Sequence, residues 1–180
     1  MKTNKNVAGG ESINEGAMDN ELHALFLDQL ADAYDAEKQL TKALPKWIKA
    51  SQSDEVRTAL ESHLGETEEH ATRLERVGKS LGKSLERRTC QAMVGLVEEA
   101  EEIIGEKEDS SAIDAGIIAA AQKVEHYEIA TYGTLCAWAK QMDHTEASNL
   151  LRETLEEEKT ADRKLTEVAE SLANVKAESR

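Results

Sequence analysis

AIDAGIIAAAQKVEHYEIATYGTLCAWAKQM, residues 112–142, contains no proline and sets Ile117, Ala121, Val124, Glu128, Thr131, Leu135, Trp138 and Met142 at alternating steps of four and three. That spacing lines them along one face of a single helix long enough to cross a helical bundle. The face is apolar apart from Thr131 and, in its middle, Glu128. A carboxylate on the side that packs inward is the feature the rest of the chain has to explain.

Three more long helices read out in the same way. From Asp19 onward Leu22, Phe26, Leu30, Ala33, Leu40, Leu44 and Trp47 keep a helical period, with Pro45 expected to kink or loosen the last turn. Ser51-Gln52-Ser53-Asp54 supplies turn and N-cap chemistry, so a second helix starts near Ser53. It continues through Val56, Leu60, His63, Thr67, His70, Leu74, Val77 and Leu81 and ends amid Gly78 and Gly82. The last helix runs from about Thr145 to Leu172 through Leu151, Leu155, Glu158, Asp162, Leu165, Ala169 and Leu172.

Between the second and third long helices lie the basic stretch Lys83 to Arg88 and a short apolar segment, Met93 to Ile104, closed by Gly105 and the polar run Glu106 to Ser111. Two hairpins with short turns, joined by one long crossover that holds a fifth, shorter helix, are the connectivity of an all-α, ferritin-like four-helix bundle. The bundle domain is expected over residues 18–175. Residues 1–17, rich in Gly, Asn and Ser without an apolar period, are expected to form a disordered N-terminal tail.

Bulk properties agree and exclude several function classes. The 180 residues suit one domain. One proline, six aromatic residues and 32% charged residues suit long helices. A net charge of −14, from 36 acidic against 22 basic side chains, repels phosphate backbones and anionic headgroups, which argues against nucleic acid and membranes as partners. Cys90 and Cys136 are too few and too far apart for a disulfide framework and read as small, partly buried hydrophobes of a reducing compartment. With no apolar run of membrane length and no apolar leader stretch, a soluble cytoplasmic protein is expected.

The acids on the wrong face carry the chemistry. Glu37 falls between Ala33 and Leu40 on the first helix, Glu128 between Val124 and Thr131 on the third, and Glu158 between Leu155 and Leu165 on the fourth. A buried carboxylate must protonate, pair with a cation or coordinate a metal. Further ligand-type residues lie one turn away: Glu66 with His70, Glu125 with Glu128, and Glu158 with Asp162. Oxygen donors with imidazole suit iron or manganese, and the lack of a cysteine cluster argues against a thiolate site. Glu66-Thr67-Glu68-Glu69-His70 is also echoed by Glu158-Lys159-Thr160-Ala161-Asp162, a weak repeat that would set two ligand groups across the bundle axis.

YDAEKQLTKALPK at 34–46, HLGETEEHATRLE at 63–75, AAAQKVEHYEIATYGTL at 119–135 and ETLEEEKTADRKL at 153–165 together resemble the YciF/YciE family of bacterial stress proteins, from about Glu21 to Ala173. The resemblance implies a ferritin-like fold, a homodimer, a stress-linked role and a dinuclear iron site. Its inward acids match Glu37, Glu66, Glu125, Glu128 and Glu158, and Asp162 fits its pattern. Family members often carry Gln at the position of His70, so His70 is either a variant ligand or a polar neighbour of the site, and His63 is the competing imidazole. The usual di-iron bundle carries Glu-x-x-His on two helices. No main helix here has that motif.

Three readings follow. In the first, a dinuclear iron or manganese protein handles peroxide or dioxygen or oxidises ferrous iron, with Glu66 and Glu158 bridging. In the second, a non-enzymatic structural or interaction protein keeps the bundle with a degenerate metal site. Storage in a large shell is the third, and no sequence feature specifies such an assembly. His63 and His126 read as boundary histidines, Tyr34, Tyr127 and Tyr132 as amphipathic boundary residues, and Trp47 and Trp138 as packing or dimer contacts.

Overall fold

The structure, a computed structural model, describes residues 21–85, 88–107 and 109–179. The expected N-terminal tail and the expected helix start at Asp19 lie outside the described residues. Four long helices follow the predicted periods: α1 (Glu21–Ala50), α2 (Asp54–Ser80), α4 (Ile113–Gln141) and α5 (Thr145–Val168), with α3 (Gln91–Lys107) in the crossover. α1 pairs with α2 and α4 with α5 across short turns, while α2 faces α5 and α1 faces α4. The four close into a ring, with α3 lying outside against α4 and α1. This is the expected ferritin-like connectivity, and there is no strand among the described residues.

The apolar stripes fill the ring in two separate clusters. Leu40, Leu44, Trp47, Val56, Leu60, Ile117, Ile118 and Val124 build one. Phe26, Leu30, Leu74, Val77, Leu135, Leu150 and Leu151 build the other. A fully buried side chain of this size stabilises the fold by about 1.5–3 kcal/mol. Thr67, Glu128 and Glu158 fall between the clusters in sequence on their helices, and Glu37 lies one residue past the boundary at Ala36, so a polar layer crosses the bundle at mid-height.

Helix ends show where local chemistry departs from the sequence reading. α1 passes through Pro45 to Ala50. Ser53 occupies the N-cap of α2 but makes no side-chain cap bond. Instead the buried Asp114, in the first turn of α4, accepts the backbone N–H groups of Gln52 at 2.8 Å and Ser53 at 3.0 Å. These donors belong to the turn before the helix and not to the Glu55 and Val56 N–H groups that a Ser53 side-chain cap would serve, so the two oxygens of the aspartate brace the turn and the cap stays unmade.

At the other end of α2, Gly82 adopts φ +67° while the Lys83 N–H reaches back to the Gly78 carbonyl at 2.9 Å. α3 sits close because Gly116 has no side chain: a Cβ there would lie 2.7 Å from Ile103 Cγ2. The last helix outruns its expected end at Leu172. After Val168 it passes through a π-turn, Ala169–Ala173, and continues as α6 (Asn174–Glu178).

Candidate metal centre

Each long helix delivers acid or imidazole to the polar layer because one position of its inward stripe is occupied by a ligand-type residue. α1 contributes Glu37, α2 contributes His63 and His70 two turns apart, α4 contributes Glu125 and Glu128 one turn apart, and α5 contributes Glu158. All six are buried. Their donor atoms fall into two groups that share one residue: Glu37, His70 and Glu158 in one, and His63, Glu125, Glu128 and Glu158 in the other. Within each group the donor atoms lie within 4.8 Å of one another.

His70 Nδ1 stands 2.9 Å from Glu158 Oε1 and 3.7 Å from Glu37 Oε1. Its other nitrogen, Nε2, is hydrogen-bonded to Glu157 Oε2 at 2.9 Å. Arg73 braces that outer carboxylate at 2.6 Å and holds Thr154 at 2.7 Å. A carboxylate behind a histidine assigns the outer nitrogen as donor and presents the inner one to the site. Tyr132 donates a short hydrogen bond to Glu37 from the α4 side. In the second group, His63 Nε2 lies 3.2 Å from Glu125 Oε1 and its Nδ1 lies 3.7 Å from Glu66 Oε2.

Crowding and burial shape the charges. Burial pushes Glu37 up to about 8, the His70 charge opposing it and the Glu158 charge adding to it. Glu125 and Glu128 are also held well above the usual carboxylate range, by burial first and then by the Glu158 charge. Burial alone would lower His70, but the contact with Glu158 and the charges of Glu37, Glu158 and Glu157 outweigh it and raise the imidazole to about 9. Burial resists ionisation of Glu158, yet the His70 contact and charge hold it below its ordinary value.

Whether these residues fit a metal can be tested on their unmet bonding capacity. Glu37 Oε2, His63 Nδ1 and Nε2, His70 Nδ1, Glu125 Oε2 and both carboxylate oxygens of Glu128 and Glu158 have no hydrogen-bond partner. The close His70–Glu158 and His63–Glu125 contacts are therefore ion-pair distances without hydrogen-bond alignment. Native interiors leave few such groups unpaired. Here nine atoms converge on one layer, and all belong to metal-ligand residue types. The donor set fits.

Of the residues singled out from the sequence, Glu37, His70, Glu125, Glu128 and Glu158 come together. Glu66 and Asp162 do not join either group. The Glu66 side chain is 31% exposed and reaches Lys164 Nζ at 3.8 Å. Asp162 accepts from Gln122 at 3.1 Å and lies 3.5 Å from the exposed His126. The two stop at the boundary because α2 and α5 turn only a narrow stripe inward, filled at those levels by His63, Thr67, His70, Glu158 and Ala161. His63, the competing imidazole, sits in one group while His70 sits in the other. The bracing residues Arg73, Glu157 and Thr154 were missed. Arg73, one turn after His70, was the available signal.

A family profile described as "Domain of unknown function (DUF892)" matches residues 21–178. The chain is 47% identical over 157 residues to Protein YciF of Escherichia coli strain K12, covering 87% of this chain and 95% of that protein. The crystal structure of the E. coli stress protein YciF matches with a TM-score of 0.82 at 46% identity, over 86% of this chain and 98% of that one. YcfI from Rhodopseudomonas palustris matches at 0.79 and 45% identity, over 82% and 94%. A Xanthomonas campestris protein at 18% identity and a TM-score of 0.66, covering 87% of this chain and 96% of its own, shares the fold. No helix among the described residues is long and apolar enough to cross a membrane.

Proposed function

The chain belongs to the DUF892 family as a homologue of the stress protein YciF, and from that premise we propose that its buried layer holds two iron or manganese ions and handles peroxide or dioxygen, or oxidises ferrous iron, during stress. The observation that carries this reading is the convergence of unpartnered, fully buried carboxylate and imidazole atoms from four helices. Glu37 and His70 would hold one ion, His63, Glu125 and Glu128 the other, and Glu158 both. Once deprotonated, the four carboxylates balance two divalent ions, so loading would exchange the protons that burial holds on Glu37, Glu125 and Glu128 for metal charge. When bound, such a pair would supply Lewis acidity and electron exchange with a small oxidant.

The protein's own residues set the conditions. Glu157 fixes the His70 tautomer, Tyr132 orients Glu37, and the apolar clusters above and below exclude water, which strengthens every charge contact in the layer. In the same reading the protein is a cytoplasmic homodimer.

The rival reading is a non-enzymatic structural or interaction protein in which the two histidine–carboxylate contacts neutralise the layer without metal. The direct test is elemental analysis after anaerobic reconstitution with ferrous iron or manganese, beside a Glu37→Ala/Glu158→Ala control. About two ions per chain, lost in the control, is the expected result. Metal-free protein, or equal binding by the control, overturns the proposal in favour of the structural reading.

A further inference from the structure

The buried layer is closed on most sides. The outer nitrogen of His70 is capped by Glu157, which Arg73, itself bonded to Thr154, ties down, and α3 lies over the α1–α4 side. On the α2–α5 side the wall is thinner. A surface groove of about 520 Å³, bordered by Asp54, Glu55 and Glu167, runs along these two helices. Its floor residues Ala59, Ser62 and Lys164 also line a narrow cleft that ends on His63 and Glu125. The cleft has about 10 Å³ of free space, the room of one water-sized sphere.

Glu66 lines the cleft and contacts Lys164, which lines both cleft and groove. One of its oxygens is 3.7 Å from His63 Nδ1, and the other is 3.8 Å from Lys164 Nζ. The imidazole behind it is 5% exposed, has no hydrogen-bond partner on either nitrogen, and lies 3.2 Å from Glu125 Oε1, the other oxygen of that carboxylate being unpartnered. The mouth carries three carboxylates, Asp54, Glu55 and Glu167, against Lys164 and the Arg57 that pairs with Asp54, a balance that stays negative. That balance draws divalent cations toward the cleft.

We propose that this α2–α5 groove is the route by which a divalent cation reaches the layer, with Glu66 as the transfer carboxylate and Lys164 as the counter-charge that keeps it closed. The inference rests on the metal-centre reading and goes beyond it by giving Glu66 a role that is not ligation at rest. The cleft is too narrow for a hydrated cation, so each water shed has to be replaced by a protein oxygen. Among the described residues, Glu66 is the carboxylate that contacts both a groove-lining side chain, Lys164, and a buried histidine, His63. Its contact with Lys164 is long and half-exposed, so it holds weakly and is displaced by a stronger cation. The buried donors then exceed what Glu66 offers, and the carboxylate returns to Lys164.

The test is the rate of Co²⁺ uptake by the metal-free full-length protein, followed by absorbance after rapid mixing, with stoichiometry at equilibrium measured separately. Glu66→Gln and the groove-filling Ser62→Trp are each expected to slow uptake about tenfold or more while reaching the unmodified protein's final stoichiometry. Lys164→Met is expected to speed it. Unchanged rates in all three variants, with normal final uptake, overturn the route and leave the metal centre standing. A final stoichiometry lowered by Glu66→Gln alone makes Glu66 a resident ligand and overturns its transfer role. No uptake by the unmodified protein removes the metal centre itself, and the route with it.

Discussion

The two halves of the buried layer are built on one plan with different strength. Each has a histidine on α2 with a carboxylate behind its outer nitrogen. Behind His70 that carboxylate is Glu157, at 2.9 Å and clamped by Arg73. Behind His63 it is Glu66, at 3.7 Å and loosely tethered to Lys164 at 3.8 Å. The His70 half is sealed and braced. The His63 half opens toward a groove and holds two carboxylates, Glu125 and Glu128, that burial forces toward the protonated state. Rigidity is spent where a ligand must be aimed, and looseness is left where something must pass.

The largest effect that separates the halves comes from removing one ligand at a time. Glu37→Gln is expected to lose about one metal per chain and keep the other, and Glu128→Gln to lose the opposite one, because only Glu158 is shared. Reconstitution with ferrous iron followed by elemental analysis and Mössbauer spectroscopy distinguishes the remaining ions. If either variant loses both, the halves are not independent and the comparison fails.

A second effect is in the pH dependence of the metal-free protein. Glu37, raised from 4.5 to about 8, and His70, raised from 6.5 to about 9, both bind protons more tightly when folded. Each therefore favours folding at low pH and loses that contribution as pH rises toward its folded value. Glu158, held below 4.5, acts oppositely, its contribution being present above 4.5 and lost as pH falls through its folded value. Between pH 6.5 and 9 the first two dominate, so the melting temperature of chelated protein should fall by about 5 °C or more across that window. Metal displaces those protons, so loaded protein should show a flat or rising profile. A chelated protein whose melting temperature rises with pH there would remove the proton-filled layer from the account.

The smallest effect is Tyr132→Phe, which deletes only the hydrogen bond to Glu37. Metal titration should show about a tenfold weakening of one of the two binding phases, and the other unchanged. Equal weakening of both would mean that Tyr132 supports the whole layer.

The fold was legible because its signal is repeated. Stripes such as Val56, Leu60, Leu74 and Val77 keep one period over a whole helix, and a single residue off pattern changes nothing. The candidate site was legible in part for the same reason, since Glu37, Glu128 and Glu158 interrupt those stripes. Glu66 and Asp162 were harder. Glu66 lies one position off its stripe and Asp162 on the edge of its own, and only the rotation of each helix against its neighbour decides whether such a residue faces in or out. Arg73 and Glu157 look like ordinary surface charges in sequence, because their partners come from a helix more than eighty positions away. The brace of the α1–α2 turn was hidden for that reason too: Ser53 is at the N-cap as expected, and the turn's N–H groups are taken by a distant aspartate.

That aspartate has a kinetic side. Asp114 meets Gln52 and Ser53 across a separation of about sixty residues, and Lys176, carried past the π-turn, reaches the same carboxylate at 3.4 Å. The start of α2 therefore lacks two of its acceptors until the second hairpin docks, and the first hairpin taken alone is left to fray at its turn. Three remote stretches of chain close on one buried side chain. The hairpins are thus expected to form and melt as one cooperative unit, with hydrogen exchange at Gln52 and Ser53 reporting on global opening and not on the local turn.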